Sequence, residues 1–500
     1  MEMLKKARCL AVLGTGSDVG KSMVAAALCR VLSDRGVRVA PFKAQNLSNN
    51  SGVTPEGLEM GRAQMVQARA ARVAPHVDMN PVLLKPAGLA AGCQVVLLGR
   101  PLAPGNAGAL FGKREALFRE AARALDRLRD RHDMVIMEGA GSCAEVNLKS
   151  RDIVNFSMAA YADAPVLLVA DIDRGGVFAQ IVGTLACLER EERDRIAGFV
   201  INRFQGESSL FADGVAWIEE KTGRKVFGVL PHLPGLGIEE EDAVAIEGPE
   251  PELEPRGPAV AVIRTPCISN FTDFDALQAV PGLSVLYLQR PRDLGRFAAV
   301  ILPGSKNTRG DLAWLVSTGW TEMILRYAEG GGHVLGLCGG FQMLGQAVRD
   351  PRGVEGAPGE SPGLGLLPVV TVMAGEKTTT LTDFSWDRER GRGYEIHMGE
   401  TSMDGGSPWF SVNARNNGPS EGLEGCVSPG GRIRGTYLHG LFDSPGILTL
   451  WLCTIGLEGL SAPADGGPAG QERRLDAWAA HFKKHVDVHA LFSSCGIPFA

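Results

Sequence analysis

Residues 9–22 read CLAVLGTGSDVGKS, an apolar run followed by a glycine-rich loop that ends in Gly-Lys-Ser. The amphipathic pattern of 22–35 predicts that a helix comes next. A strand, such a loop and a helix together bind phosphate, because backbone N–H groups and the positive end of the helix face the phosphate oxygens. Thr15 stands where the strict motif has glycine, so the loop is a variant. The predicted nucleotide-binding residues of the loop are Gly16, Val19, Gly20, Lys21 and Ser22.

A magnesium–nucleotide site also needs an acid at the end of a neighbouring strand. Glu138 follows an apolar run at 134–137 and precedes two glycines that let a phosphate approach. We expect Ser22, Glu59 and Glu138 to hold Mg²⁺, and Lys43, after a predicted strand at 38–42, to add a second cation. Taken alone, Lys43 or Glu59 would be a solvated surface residue; only the adjacent loop gives them a role.

Apolar runs alternate with helical patterns along most of the chain, which favours two doubly wound parallel-sheet α/β domains and a C-terminal helical tail. The predicted strands are 9–13, 134–137, 165–170, 198–201 and 226–230, then 260–263, 284–287, 298–302 and 333–337. Between 369 and 439 the strands are expected to become shorter and more polar. The predicted boundaries are 1–238 for the phosphate-loop domain, 239–258 for an acidic, proline-rich linker, 259–447 for the second domain and 448–500 for the helical extension.

Composition excludes several classes of protein. The 500 residues are 45% hydrophobic and 22% charged, so a disordered or fibrous chain is ruled out. The net charge of −6 argues against a nucleic-acid partner or an anionic membrane surface. No apolar run reaches the ~18 residues that cross a bilayer. The ten cysteines are scattered and form no C-x-x-C pair, so we expect a cytoplasmic enzyme. Whether the protein is a homo-oligomer is left open.

One cysteine differs from the others. Cys338 lies between a predicted strand at 333–337 and a glycine-rich helix start, a turn that exposes the sulfur and favours a thiolate. His439, at a later strand end, is the predicted base, and the two are the predicted catalytic residues. Backbone N–H groups of Gly304 and Gly339 are the predicted oxyanion donors. The alternative without catalysis is that Cys338 is a buried structural cysteine and His439 an unrelated histidine of the core.

These motifs carry two resemblances. The loop, Lys43 and Glu138 resemble the dethiobiotin-synthetase-type P-loop family, which uses ATP to activate carboxylates; partition-type ATPases share the fold, but they carry a lysine where Gly16 stands. That resemblance implies ATP and Mg²⁺, and Asn202 would read adenine, or else cap its strand.

Cys338 and His439 resemble triad-type class I glutamine amidotransferases, which release ammonia from glutamine. Many of these have a glutamate two residues after the histidine, where Leu441 stands, so the orienting acid is absent or supplied elsewhere. The weak candidates are Glu395, Glu400 and Asp443.

The combination resembles the cobalamin-pathway amidotransferases over nearly the whole chain, for example in 42–46, 59–64, 78–86, 170–176, 302–308 and 393–399. Within them, 44–46 reads AQN where the a,c-diamide-forming branch has Gly-Pro-Asp. The resemblance therefore implies glutamine- and ATP-dependent amidation of the b, d, e and g carboxylates of adenosylcobyrinic a,c-diamide. Candidate cations for this polyanionic corrinoid are Arg62, Arg69, Lys85, Lys149, Arg151 and Arg174.

Other interpretations stay open on the sequence. They are the a,c-diamide-forming branch, a cytidine-triphosphate-synthase-like ligase, and a regulatory P-loop switch with an inactive glutaminase-like domain.

In the C-terminal tail, His481, His485 and His489 recur every four residues in a predicted helix near 473–492. Such spacing can bind a metal ion, although Lys484 and Asp487 beside them favour a solvated or docking face.

Overall fold

The computed structural model describes residues 6–86, 93–102, 114–233, 235–236 and 257–498, and these form two α/β domains. The predicted linker therefore lies outside the described residues, except for its last two positions. Among the described residues, no helix combines the length and apolar character needed to cross a bilayer.

The first domain is built on a six-stranded, fully parallel sheet. Its strands, in spatial order, are Lys225–Pro231, Ile196–Phe204, Val166–Asp171, Arg8–Gly14, Met134–Glu138 and Val39–Phe42. In the central strand, Cys9, Ala11 and Leu13 pack in one apolar cluster, and Leu10 and Val12 pack in another. A sheet covered on both faces requires apolar residues at successive positions, which explains the unbroken apolar run.

Helices on both faces, and small strands at one edge, complete this domain. The longer helices are Lys21–Ser33, Arg62–Ala70, Arg114–Arg131, Phe156–Ala162, Val177–Cys187 and Ala212–Thr222. A second, four-stranded sheet has the order Gln45–Leu47, Val82–Pro86, Cys93–Leu97 and Arg100–Pro101. Ser51–Val53 pairs antiparallel with Glu59–Gly61. These short strands carry Glu59 and Lys85 toward the second domain.

The second domain has its own six-stranded sheet, parallel except at one edge. The spatial order is Ser284–Leu288, Ala259–Ile263, Ala299–Leu302, His333–Leu337, Ile433–Thr436 and Cys426–Val427. Its longer helices are Thr308–Thr318, Trp320–Glu329, Gly339–Leu344 and Pro445–Thr454. The carboxyl ends of the neighbouring strands His333–Leu337 and Ile433–Thr436 bring Cys338 and the segment before His439 to one edge. The fold class is thus the predicted one.

The expectation of shorter strands after residue 369 was wrong. Val369–Trp386 and Glu389–Met403 form a long antiparallel hairpin of 18 and 15 residues. The hairpin belongs to a further sheet with Ala347–Asp350, Gly359–Pro362, Phe410–Arg415 and Gly418–Glu424. Its alternating pattern of buried and exposed residues places one face on the core and leaves the other solvated, which made the strands look weak in sequence.

The C-terminal tail forms two helices, Gly467–His485 and Val488–Ser494, that pack against the first domain. The predicted single helix is interrupted because Val486 forms a bridge with Gly228 of that domain's edge strand. The Trp478 indole N–H donates to the Met23 carbonyl at 2.8 Å. Arg30, fully buried in the helix Lys21–Ser33, pairs with Glu472 at 2.6 Å. The tail therefore supports the helix that follows the phosphate loop.

Candidate active sites

Cys338 occupies a strained turn between the strand His333–Leu337 and the helix Gly339–Leu344. Its backbone has φ 50° and ψ −106°, an unusual conformation for a residue with a side chain. Glycine is required at 340, because a Cβ there would collide with the Leu302 carbonyl oxygen. The turn places the thiol in the cavity that His439 also lines, but the residue is only 6% exposed, so the expectation that the turn exposes the sulfur was wrong.

His439 lies beside this thiol and is oriented by an aspartate. Cys338 and His439 line the same cavity, in which the Cys338 thiol donates to the Ile396 carbonyl at 3.5 Å. His439 Nδ1 lies 2.7 Å from Asp273 Oδ2. The other oxygen of Asp273 accepts the Gly440 backbone N–H at 2.8 Å. Asp273 thus fixes both the ring and the turn that carries it, and the three side chains form a Cys–His–Asp triad.

The sequence candidates for the orienting acid were wrong. Glu395 instead accepts hydrogen bonds from Thr382 and Arg415, Glu400 is exposed, and Asp443 lies 3.5 Å from Arg62. The acid in contact with the histidine is Asp273, which lies 166 positions before it. Asp273 sits in a short 3₁₀ turn that follows the strands Ala259–Ile263 and Ile268–Ser269. The one feature of the sequence that could have pointed to it is an acid in a loop that follows a predicted strand of this sheet.

The electrostatics of the triad favour a protonated histidine. Burial alone would lower the pKa of His439, whose side chain is 1% exposed. The Asp273 carboxylate and Cys338 outweigh that effect and raise the pKa to about 10. Near neutral pH the ring therefore carries a proton that it can give to a leaving group.

The predicted oxyanion residues lie around the thiol. Gly304 is in contact with the histidine, since a Cβ on it would lie 3.1 Å from His439 Cε1. A Cβ on Gly339 would approach the Ser305 backbone nitrogen to 2.7 Å. The Ser305 hydroxyl donates to Asp311 at 2.6 Å, which fixes the loop between these glycines. The structure thus brings both predicted donors next to the triad, and their role stays a prediction.

In the first domain, the phosphate loop is closed around its lysine. Lys21 Nζ donates to the carbonyls of Gly16 and Gly141, each at 2.9 Å. Gly20 has φ 94°, and a Cβ on it would collide with the Asn202 side chain. The Asn202 amide donates to the Val19 carbonyl at 3.0 Å, so this residue braces the loop. Its reading of adenine stays a prediction.

Glu138 is the centre of the polar network next to the loop. Its Oε1 accepts from Ser22 Oγ at 2.7 Å and from Lys43 Nζ at 2.9 Å. Its Oε2 accepts from the amide of Gln67 at 2.6 Å and from that of Gln64 at 3.3 Å. The Lys43 ammonium and these hydrogen bonds outweigh complete burial and lower the pKa of Glu138. The carboxylate is therefore ionised beside the Ser22 hydroxyl.

Glu59 is not brought together with Ser22 and Glu138. Its Oε1 accepts from Lys85 Nζ at 2.7 Å and from Ser51 Oγ at 2.8 Å, and its Oε2 pairs with Lys377 of the second domain at 2.5 Å. These lysines hold the pKa of Glu59 well below its ordinary value despite burial. Both carboxylate oxygens face lysines of the domain junction rather than Ser22 and the phosphate loop, so the contacts do not support the predicted metal-ligand role.

The candidate corrinoid cations do not form one cluster. Arg62 stacks on Tyr394 of the second domain, Arg69 hydrogen-bonds Gln471 of the tail, and Lys149 pairs with Glu192 at 2.8 Å. Lys85 is buried at the junction, whereas Arg151 and Arg174 are exposed. The six cations therefore have different partners and different exposure, although the sequence shows each of them only as a basic residue in or near a predicted loop.

The three tail histidines do not come together, because the rings of His481 and His485 lie 4.7 Å apart whereas His489 belongs to another helix. His481 Nε2 lies 3.0 Å from the Pro231 carbonyl of the first domain, and His489 is on the last helix. Within the described residues, no group of three metal-ligating side chains occurs. This arrangement fits a docking face.

Comparison with known proteins agrees with this two-site arrangement. Residues 10–243 match the family described as the CobQ/CobB/MinD/ParA nucleotide binding domain. Residues 259–447 match the CobB/CobQ-like glutamine amidotransferase domain. A cobyric acid synthase of Chlorobaculum tepidum is 50% identical over 494 residues and covers 98% of each chain. The chain belongs to the cobyric acid synthase family. It is accordingly an ATP-dependent glutamine amidotransferase that acts in cobalamin biosynthesis.

Other members of the family are similarly close. A cobyric acid synthase of Chlorobium phaeobacteroides, strain BS1, is 49% identical, and the match covers 98% of this chain and 99% of the relative. One from Syntrophobacter fumaroxidans is 45% identical, with coverage of 99% and 100%. The similarity thus extends over both domains and the C-terminal helices.

Proposed function

We propose that the protein amidates the b, d, e and g side-chain carboxylates of adenosylcobyrinic a,c-diamide, with ammonia from glutamine and activation by ATP. The observation that carries this proposal is the presence in one chain of two built sites. One is a Cys338–His439–Asp273 triad, and the other is a phosphate loop whose Ser22 is hydrogen-bonded to a buried Glu138. The first suits amide hydrolysis, and the second suits phosphoryl transfer to a carboxylate.

In the proposed glutaminase reaction, the Cys338 thiolate attacks the side-chain amide carbon of glutamine. The N–H groups of Gly304 and Gly339 stabilise the oxyanion, and protonated His439 gives its proton to the departing ammonia. Water, deprotonated by His439, then hydrolyses the thioester to glutamate and restores the thiol. Asp273 holds the ring in the tautomer that both proton transfers require.

The synthetase half transfers the terminal phosphoryl group of ATP to a corrinoid carboxylate, and ammonia then displaces phosphate to form the amide. Lys21 and Lys43 suit the charge that develops on the phosphates. Ser22 and Glu138 supply the hard oxygen ligands that Mg²⁺ prefers, and glycines at 16, 20 and 141 keep the cradle free of side chains, so the residues present fit Mg·ATP. The ion, when bound, neutralises phosphate charge.

The carboxyl-end loops of the first sheet suit a corrinoid, which combines an apolar macrocycle with carboxylate arms. After the strand Met134–Glu138, the loop exposes Val146 and Leu148, and Arg151 is exposed nearby in sequence. Arg174 is exposed in the loop after Val166–Asp171, a strand of the same sheet that is separated from Met134–Glu138 by Arg8–Gly14. Exposed apolar side chains among cations match the two faces of such a ligand.

Mass spectrometry of the product tests the proposal. The full chain, glutamine, Mg·ATP and adenosylcobyrinic a,c-diamide should give four successive carboxyl-to-amide conversions. A Cys338→Ser variant should do so only when ammonium replaces glutamine. Conversion of cobyrinic acid at a and c, with the diamide left unchanged, would assign the protein to the sister reaction and overturn the proposal.

A further inference from the structure

The cavity in front of the triad is built by both domains. Cys338 and His439 line it together with Lys306 and Lys377 of the second domain. Lys85, from the strand Val82–Pro86 of the first domain, completes the wall. Three lysines thus line the space that receives glutamine, and the triad mechanism uses none of them.

Two of these lysines already share one carboxylate partner. Glu59 pairs with Lys85 at 2.7 Å and with Lys377 at 2.5 Å, and all three side chains are at most 4% exposed. Lys306 is different, since among the described residues no carboxylate forms an ion pair with it. The ammonium of Lys306 is therefore the cation of this wall that can take a new anionic partner.

The backbone of Lys306 is held next to the reacting centre. Its N–H donates to the Cys267 carbonyl at 2.8 Å, and the preceding residues Gly304 and Ser305 pair with the strand Ile268–Ser269. Burial and the neighbouring charge of Lys85 lower the pKa of Lys306, while Glu59, Glu355 and Cys338 raise it. An anion bound at this ammonium would offset the cost of burying its charge and the repulsion from Lys85.

We infer that Lys306 binds the α-carboxylate of the donor glutamine and so selects a free amino acid over other primary amides. Glutamine carries its amide at one end and its α-carboxylate at the other, and the cavity offers the thiol and an uncommitted ammonium in the same enclosed space. The Glu59 network leaves Lys306 as the available partner for the carboxylate. This inference rests on the glutaminase half of the proposed function.

The test compares glutamine with 4-aminobutanamide, which keeps the amide and the ammonium but lacks the α-carboxylate. Ammonia release is measured without corrinoid, so that the identity of the acceptor does not enter. Lys306→Met should lower kcat/KM for glutamine about 10- to 100-fold, the value of a charge-assisted hydrogen bond, and leave that for 4-aminobutanamide nearly unchanged. Lys306→Arg should restore most of the preference.

Equal loss on both substrates would overturn the inference, because it would mean that Lys306 supports the thiolate or the fold. No loss on glutamine would overturn it as well. Lys225→Met, at an exposed position of the first domain, is the matched control, and thermal unfolding checks both variants. Failure of the proposed function would appear differently, as unimpaired glutamine hydrolysis by Cys338→Ser.

Discussion

Replacing Asp273 by Asn tests the triad most sharply. The variant keeps the shape of the side chain and removes the charge that lies 2.7 Å from His439 Nδ1. Loss of one partner from a buried ion pair costs about 3–5 kcal/mol, which corresponds to about two to four pKa units. The pKa of His439, about 10 in the native protein, should therefore fall to roughly 6–8.

The sign of the pH effect follows from the proton that His439 must donate. Glutamate release should persist below the pKa of the imidazolium and decline as pH rises through it, so the alkaline limb of the native profile should lie near pH 10. In Asp273→Asn that limb should move down by about two to four pH units. The maximal rate should also fall about 10²- to 10⁴-fold, because the ring loses its preferred tautomer.

The assay is glutamate release from glutamine between pH 6 and 11, at saturating substrate and without acceptor. Glu400→Gln is the matched control, since it removes an exposed carboxylate of the same domain. An alkaline limb that stays in place in Asp273→Asn would refute the reasoning, even if the rate fell. The same shift in Glu400→Gln would attribute the effect to general surface charge.

Three further predictions concern the other buried groups. Lys21→Ala should abolish ATP-dependent amidation and leave slow glutamate release, because Lys21 lies only in the phosphate loop; undiminished amide synthesis would contradict that role. Cys338→Ser should reduce glutamate release to background and keep amidation supported by ammonium salts; glutamine use at the native rate would contradict it. Burial and the nearby Glu395 raise the pKa of Glu424 to about 8, so the folded state holds a proton that the unfolded state has lost, and stability should fall as pH rises from 5 to 8. Glu424→Gln should flatten that dependence in urea unfolding, and an unchanged slope would count against it.

The sequence predicted the fold where local patterns determine it. The run Cys9–Leu13 and the residues before Cys338 lie in central parallel strands, because successive apolar positions suit a sheet that is covered on both faces. The turn at Cys338 could also be located, since it needs glycines at fixed positions. The hairpin Val369–Trp386 and Glu389–Met403 was underestimated, because its polar face resembles a loop.

The parts that sequence reasoning missed depend on distant contacts. Asp273 precedes its histidine by 166 positions and lies in a 3₁₀ turn that has no periodic pattern. Glu59 looked like a metal ligand because it is an acid in the phosphate-loop domain, yet its partner Lys377 belongs to the other domain. Glu59 and Lys377 meet only because the two domains pack together, and the spacing of residues within either segment does not indicate that packing.

The docking of the C-terminal helices has a consequence for how the two halves can move. The Arg8 guanidinium of the first strand hydrogen-bonds the carbonyl of Gly496, so the glutaminase domain is connected to the synthetase body on both sides rather than hanging from one linker. One proteolytic cut within 239–256 would leave the halves joined through the tail. Two connections also restrict rotation of one domain against the other, which limits how far the ammonia source can move from the place where ammonia is consumed.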